Sequence, residues 1–375
     1  MKNKRHILFL ASWFPSKKNE FDGDFVERHA KSVALLHHVT VVYVSNLEGI
    51  NEIKKEETKI GDLTIIRVYF PKKNRILNQY KKFKLYLKEV EKLTKIDLIH
   101  VNVTFPVGIV ALYFKIRKKI PYVITEHWTG YLPQDPVHIS FRNLYITKQI
   151  VKNASFLMPV SESLGNAMNI LGLNCRIKVI RNVIDFELFQ FQNLRNDNCI
   201  KFLHISNLSY QKNIEGIIKV ADKLWQDGFD FQLHIGGNGE LKLLESYKER
   251  SVFFDKIFLF NALTQAEVAE KMNQSDAFIL FSRFENQPCV QIESFACGLP
   301  VIASDVGGVS EVFPTGFGEI IEPENEEQLY ETMKSFIENK IELKKGIQIH
   351  QFAKEHFSMQ KIAKQFDEIY NEVLK

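Results

Sequence analysis

The chain has 375 residues, more than one hydrophobic core usually fills, so its length predicts two domains. Hydrophobic residues make up 45% and charged residues 25%, which is typical of a globular protein and argues against a disordered or fibrous one. Its four cysteines show no metal-ligand spacing, and together with the length they predict a reducing, cytoplasmic compartment.

The first predicted element is a buried strand at Ile7 to Ala11. The basic start and apolar run resemble a signal peptide, but the run is short and meets Pro15 without a small-residue cleavage site. The longest stretch without formal charge, residues 98–114, contains polar residues and is too short for a membrane span. It is predicted to form a strand, a loop and the start of a helix.

Residues 71–95 are rich in lysine, with Ile76, Tyr80 and Phe83 at helical spacing. They belong to a basic half, since residues 1–184 carry 30 Lys and Arg against 15 Asp and Glu, whereas residues 185–375 carry 19 against 30. One interpretation is a solvated helix packed on its domain; another is a cationic face held against anionic lipid. Nucleic acid is a weaker third option, because no recognised binding motif is present.

Apolar strand-like runs alternate with helical patterns along the whole chain, which predicts an α/β protein with parallel sheets covered by helices. The pattern runs twice, and its periodicity lapses between Arg181 and Cys199. We therefore expect two doubly wound domains, residues 1–184 and 185–357, facing each other across a cleft. Residues 358–375 form an amphipathic helix that either ends the second domain or crosses back to the first. Strands are predicted near Ile7, Val39–Val44, Leu63–Val68, Leu98–Val101, Tyr122–Thr125, Phe156–Val160, Lys178–Ile180, Phe202–Ile205, Phe231–Ile235, Ile257–Phe260, Ala277–Phe281 and Val301–Ala303.

Residues 282–311 combine a strand end, a loop, a helix and a glycine-rich turn. The first-turn amides of the helix, around Cys289, Val290 and Gln291, would form an anion site suited to a diphosphate. Glu293 lies on the second turn, where its carboxylate can accept hydrogen bonds from two ribose hydroxyls. Glu285 lies on the preceding loop. The alternative is that Glu285 is a surface residue and Glu293 only stabilises the helix.

The segment ENQPCVQIESFACGLPVIASDVGG resembles the glutamate-x7-glutamate motif of the retaining glycosyltransferases of family 4, which have the GT-B fold. The resemblance extends over nearly the whole chain. LHISNLSYQKNIEGI is similar to the family's strand and phosphate-binding loop, LHIGGNGE to its glycine turn, and TEHW to a segment carrying a histidine.

The resemblance implies transfer of a sugar from a nucleotide-sugar donor, a UDP-sugar rather than a GDP-sugar, with retention of the anomeric configuration. Glu293 would hold the ribose, Glu285 the donor sugar's hydroxyls and Lys212 the diphosphate. The acceptor would be lipid-linked or a growing surface polysaccharide, at the inner membrane face. The implied catalytic residues are Glu285, Lys212 and His127; the implied donor-binding residues are Gly23, Asn207, Lys212, Leu263, Glu285, Asn286, Gln287, Cys289, Val290 and Glu293.

Departures from the family pattern affect the phosphate contacts. Asn207 stands where the family usually has arginine, so phosphate neutralisation would rest on Lys212, helix amides and Arg283 or another basic group. The family's glycine-rich E-G-F-G loop is replaced by Glu285 and the next three residues, ending in Pro288, which supplies no amide. Asn286 and Gln287 would then replace lost contacts with their side chains.

No cofactor and no metal are expected. The leaving phosphate oxygen itself would accept the acceptor hydroxyl's proton. Asp22 and Asp24 imitate a metal motif, but they are predicted to form a turn and a helix N-cap. A nicotinamide-dependent enzyme is disfavoured, since no G-x-G-x-x-G follows a predicted strand. A nucleotide-sugar epimerase and a non-catalytic subunit of a glycosyltransferase complex remain as alternatives.

Overall fold

The computed structural model describes residues 4–137, 139–192, 194, 199–239 and 241–375. The chain divides into two compact units. Unit 1 comprises Met1–Val183 and Met359–Lys375, and unit 2 comprises Ile184–Ser358. No helix in the described part of the chain is both long enough and apolar enough to cross a membrane.

Unit 1 is built on a 7-stranded sheet whose strands are almost all buried, as expected for a sheet covered by helices on both faces. Its strands are β1 (His6–Ala11), β2 (His38–Leu47), β3 (Lys54–Ile60), β4 (Leu63–Pro71), β5 (Leu98–Asn102), β6 (Tyr122–Glu126) and β7 (Phe156–Pro159). Its first helices are α1 (Asp24–Ala34), α2 (Arg75–Glu91), α3 (Gly108–Lys118), α4 (Phe141–Asn153) and α5 (Glu162–Ile170).

The strand order in unit 1 is β3-β4-β2-β1-β5-β6-β7, and every pair is parallel except the β3–β4 hairpin. Strand β1 lies centrally, with Ile7 opposite Val39 on β2 and Leu98 on β5. The chain winds outwards in one direction from β1 and in the other from β5. This pair is therefore the topological switch point, where open α/β sheets bind ligands at the carboxyl ends of their strands.

Unit 2 contains a 6-stranded, fully parallel sheet in the order β10-β9-β8-β11-β12-β13. Its strands are β8 (Ile200–Ser206), β9 (Phe231–Gly237), β10 (Ile257–Phe260), β11 (Ala277–Leu280), β12 (Val301–Ser304) and β13 (Gly318–Ile321). Its helices are α6 (Ile214–Gln226), α7 (Leu241–Arg250), α8 (Gln265–Asn273), α9 (Cys289–Ala296), α10 (Glu326–Ile337) and α11 (Gly346–Phe357). The switch point of this sheet lies between β8 and β11.

The last helix, α12 (Met359–Val373), packs in unit 1 although it follows unit 2 in the chain. Ile362, Phe366 and Ile369 are fully buried in a core that also contains β1 side chains. The Tyr370 hydroxyl lies 2.7 Å from Nδ1 of His100 on β5. Burial of this apolar stripe fixes the helix to the sheet.

The strand predictions differ from the structure in three places: residues 178–180 were predicted as a strand and are not one, whereas β3 and β13 were missed. Residues 178–180 run beside β7 and donate two backbone hydrogen bonds to it, yet they form no strand. Strand β3 was missed because its sequence, KKEETKI, is charged and mostly exposed, so it carries no apolar alternation. Such a charged edge strand is a usual way to prevent edge-to-edge aggregation.

Candidate active site

The donor-site residues predicted in unit 2 all follow strands at the carboxyl edge of its sheet. Asn207 and Lys212 follow β8, whereas Glu285 follows β11 and leads into α9. These two loops flank the switch point, so they lie side by side. Leu263 is half-buried on the loop after β10, at the far side of the same edge.

Lys212 and Glu285 form an ion pair, with Nζ 2.5 Å from Oε1. Glu285 is only 4% exposed, and it also accepts hydrogen bonds from Ser282 Oγ at 2.8 Å and from Gln211 Nε2 at 3.1 Å. A buried carboxylate needs such partners, because its desolvation is otherwise costly. Ser282 and Gln211 were not predicted as site residues. They fix the carboxylate, and the sequence offered no motif that would have singled them out.

The loop that carries Lys212 is held by Arg283. Its Nη1 donates to the Tyr210 carbonyl at 2.6 Å, and its Nη2 donates to Asn213 Oδ1 at 2.8 Å. Its remaining bonds go to two glutamates, Glu215 and Glu324. Each of the three guanidinium nitrogens therefore donates to at least one protein acceptor. Arg283 therefore links the loop after β11 to the loop after β8 that carries Lys212.

Two glycines allow close backbone contacts at this edge, Gly307 against the Glu285 loop and Gly237 against the end of β8. A Cβ atom on Gly307 would lie 1.7 Å from the Glu285 carbonyl oxygen, and one on Gly237 would lie 1.8 Å from the Ser206 carbonyl oxygen. Both have positive φ, 56° and 138° respectively. The next amide, that of Gly308, donates to the Asn286 carbonyl at 2.8 Å. The glycine pair after β12 thus buttresses the carboxylate loop.

Helix α9 begins at Cys289 and Val290, with Pro288 at its N-cap. The Gln291 amide donates to the Pro288 carbonyl at 3.2 Å. The prediction that this amide is free to bind an anion was therefore wrong. Glu293 is buried on the second turn. Burial, reinforced by the Glu293 carboxylate, raises the pKa of the Cys297 thiol, which therefore stays protonated.

The other predicted donor residues differ in exposure. Asn286 and Gln287 are buried in the loop between β11 and α9. Asn207 accepts a hydrogen bond from Ser209 Oγ at 2.9 Å, within a loop that continues to Lys212. The structure therefore gathers these residues, with the exception of the more distant Leu263, around the ends of β8 and β11.

In unit 1 the structure brings Gly23 and His127 to the same edge of the sheet. Gly23 begins α1 with φ of 72°, and a Cβ there would lie 2.5 Å from the Trp13 backbone. Two residues later, the Phe25 ring packs 4.3 Å from the His127 imidazole, centroid to centroid. The tight turn before α1 therefore places an aromatic ring against the predicted histidine.

His127 is buried, and burial, together with His29 and His100 nearby, holds its pKa well below the ordinary range. The imidazole is thus neutral at physiological pH. Its backbone is positioned by Glu126, which accepts from the His127 and Trp128 amides at 2.9 Å. Glu126 also accepts from Thr104 Oγ1 at 2.6 Å, joining the ends of β5 and β6. Sequence reasoning missed Glu126, although a charge at the end of a buried strand was a signal.

Two parallel α/β units, each with its ligand-type residues at the carboxyl edge of a sheet, define the GT-B class of glycosyltransferases. Sucrose-phosphate synthase from Thermosynechococcus elongatus has this fold, with a TM-score of 0.81 and 18% identity over 98% of this chain and 99% of that chain. Anabaena HepE, solved in complex with UDP, gives a TM-score of 0.76 and 18% identity over 98% of this chain and 100% of that one.

Family models match both units. Residues 185–355 match glycosyl transferases group 1, and residues 25–188 match glycosyltransferase family 4. An uncharacterised glycosyltransferase of Methanocaldococcus jannaschii is 28% identical over 327 residues, covering 85% of this chain and 87% of that protein. The two matches together identify the chain as a family 4-like glycosyltransferase of the GT-B fold, acting in glycan or glycolipid biosynthesis.

Proposed function

We propose that this protein transfers a sugar, with retention of configuration, from a nucleotide-sugar donor to a lipid-linked or surface-polysaccharide acceptor. A UDP-sugar is the favoured donor, because the similarly folded HepE was solved with UDP. The observation that carries the proposal is the Lys212–Glu285 pair at the β8/β11 switch point, 2.5 Å apart and backed by Gly307.

The Lys212–Glu285 ion pair would change when a diphosphate binds. As the bond between the anomeric carbon and the phosphate stretches, negative charge grows on the diphosphate, and Lys212 lies where a cation would stabilise it. The Lys212 ammonium group then contacts both the Glu285 carboxylate and the phosphate. Ser282 and Gln211 still hold the Glu285 carboxylate in place, so it can accept hydrogen bonds from the donor sugar's hydroxyls. The departing phosphate oxygen takes the acceptor hydroxyl's proton.

Glu293 would bind the ribose, because it is a buried carboxylate on the second turn of the helix that begins beside the phosphate position. His127 would donate a hydrogen bond to the transferred sugar as a neutral imidazole. Its lowered pKa excludes a cationic role near neutral pH.

The acceptor proposal rests on the surface of unit 1. Residues 1–184 carry a net charge of +15, from 30 Lys and Arg against 15 Asp and Glu. On α2, the apolar side chains of Ile76, Leu77 and Tyr80 are exposed among lysines. A basic surface with exposed apolar side chains is suited to an anionic membrane. We therefore propose peripheral contact with the cytoplasmic membrane face through residues 71–95.

Calorimetric titration with UDP, GDP, ADP, CMP and NAD tests the donor class. The proposal expects UDP to bind most tightly and NAD not at all. A transfer assay with the matching UDP-sugars and membrane lipid extract then separates a transferase, which forms a glycolipid, from an epimerase, which only converts the nucleotide sugar. Failure of every nucleoside diphosphate to bind would contradict the proposal and favour a non-catalytic subunit.

A further inference from the structure

Unit 1 contains an apolar cavity of about 240 Å³ between α2, α4 and the start of α3. Phe83 and Tyr86 of α2 form one wall, Pro106 and Val110 form another, and Ile146 of α4 closes a third. We call this cavity the α2–α4 pocket. Most of its surface is hydrocarbon and aromatic, although Gln79 and Asn143 also line it, so an occupant must be apolar over most of its contact with the pocket.

The α2–α4 pocket lies at the functional edge of the unit 1 sheet. Residues 105–107, part of its lining, follow β5, one of the two strands at the switch point. The hydroxyl of Tyr86 donates to the carbonyl of Ala11, the last residue of β1, at 2.7 Å. The pocket is therefore built against the ends of both switch-point strands, the place where an acceptor in unit 1 would lie.

Two cations, Lys82 and Arg142, also line the pocket. Lys82 is half-buried, and burial, with Lys18 nearby, lowers its pKa to about 8. An anionic group placed beside Lys82 would oppose that effect and stabilise its charged form. Arg142 is exposed at the start of α4, across the pocket from α2. The pocket thus combines apolar walls with a positively charged lining.

Large apolar side chains are exposed on both helices that flank the pocket. On α2, Ile76 is 81% exposed and Tyr80 is also exposed; on α4, Phe141 is 89% exposed, and Tyr145 is exposed one turn later. Exposed apolar groups that cluster around an apolar cavity mark a binding surface more strongly than scattered ones. With lysines between them on α2, these side chains suit the surface of an anionic bilayer.

We propose that the α2–α4 pocket holds the hydrocarbon chain of a phosphate-bearing lipid acceptor, with Lys82 and Arg142 binding its phosphate. This inference rests on the proposed function and names the acceptor's chemical class. The exposed side chains on α2 and α4 would enter the bilayer surface. The hydrocarbon chain of the lipid would then pass from the membrane into the pocket.

The test uses farnesyl phosphate, a single isoprenoid chain with a phosphate, titrated as a monomer into the full-length protein. We expect farnesyl phosphate to bind saturably, farnesol to bind more weakly, and inorganic phosphate to bind more weakly still. Ile146→Trp should fill the pocket and weaken farnesyl phosphate binding by about tenfold or more. Ile116→Trp is the control, because Ile116 is exposed on α3 and is not part of the pocket lining.

Arg142→Gln tests the phosphate contact without disturbing the core, since Arg142 is exposed. Its binding of farnesyl phosphate should fall about fivefold, as expected for loss of a charge-assisted hydrogen bond, while farnesol binding stays unchanged. Arg117→Gln, at an exposed arginine on α3, should match the wild type.

Binding that does not saturate, or equal weakening by the pocket and control variants, would overturn the pocket assignment. Normal UDP affinity together with absent farnesyl phosphate binding would reject only this acceptor class. If the wild-type protein does not bind UDP, the proposed transferase function itself is rejected.

Discussion

The site chemistry depends on individual residues that hold one carboxylate in place. Glu285 is buried, yet its oxygens accept from Lys212, Ser282 and Gln211, which offset its desolvation. The geometry is set in advance of any ligand, which is the condition for effective electrostatic stabilisation. Gly307 completes the arrangement, because no other residue fits against the carbonyl oxygen of Glu285.

Gly307→Ala is therefore expected to be strongly destabilising. A left-handed alanine costs about 1–2 kcal/mol, and displacing the Glu285 backbone should add about 1–3 kcal/mol as overpacking. Gly228→Ala is the matched control, because Gly228 also has positive φ, 89°, but nothing lies within 4 Å of its added Cβ. Urea unfolding measures the unfolding free energy of both variants. Equal loss of unfolding free energy in the two variants would mean that the contact with Glu285 is not tight.

At the scale of elements, the parallel strands and their connecting helices were predictable, because buried strands such as β1 and β11 are continuous apolar runs. The apolar face of α2 was predicted only in part. Phe83 packs against the core as expected, whereas Ile76 and Tyr80 from the same predicted stripe are exposed. Periodicity identifies an amphipathic helix, but it does not show how far along the helix the domain extends.

The candidate site was predictable where it follows a motif and not where it depends on packing. Lys212 was expected to bind the diphosphate and Glu285 the hydroxyls of the donor sugar, and the structure pairs the two side chains. The role of Gln211 depends on Glu285, 74 positions away in the sequence, and spacing gives no signal for such a contact. Arg283 was named from the sequence as one alternative for the phosphate cation, and the packing adds that it bonds to the loop that carries Lys212.

Helix α12 should contribute strongly to the stability of unit 1. The Phe366 ring packs 5.1 Å from the rings of both His29 and His100 and is fully buried. Phe366→Ala should lower the unfolding free energy by about 3–5 kcal/mol. Lys364→Ala, on the exposed face of the same helix, should change it by less than about 0.5 kcal/mol. Comparable melting temperatures for the two variants would show that α12 is not an integral part of the unit.

Across the whole molecule, both units bury neutral histidines, His29 on α1 and His204 on β8. Burial lowers the pKa of His29 in unit 1 and of His204 in unit 2 from 6.5 to about 4. Between these values the unfolded chain binds more protons than the folded one. The unfolding free energy therefore falls as the pH drops from about 6.5 towards 4, by up to about 1.4 kcal/mol per pH unit for each group.

Urea unfolding at pH 7.5 and pH 5 measures this dependence. His204→Gln should reduce the difference between the two pH values, even if the variant is less stable at both. The control, His356→Gln, replaces an exposed histidine on α11 and should keep the wild-type difference. An unchanged difference in His204→Gln would contradict a buried, neutral His204.

The central claim is that unit 2 binds the donor nucleotide at the β8/β11 edge, with Glu293 on the ribose. The most direct measurement is calorimetric titration of UDP into the wild type, Glu293→Ala and Glu319→Ala, the last at an exposed position on β13. We predict that Glu293→Ala weakens UDP binding by about tenfold or more, the equivalent of about 1.4 kcal/mol, and that Glu319→Ala binds UDP as tightly as the wild type. UDP binding of equal strength in all three proteins would contradict it.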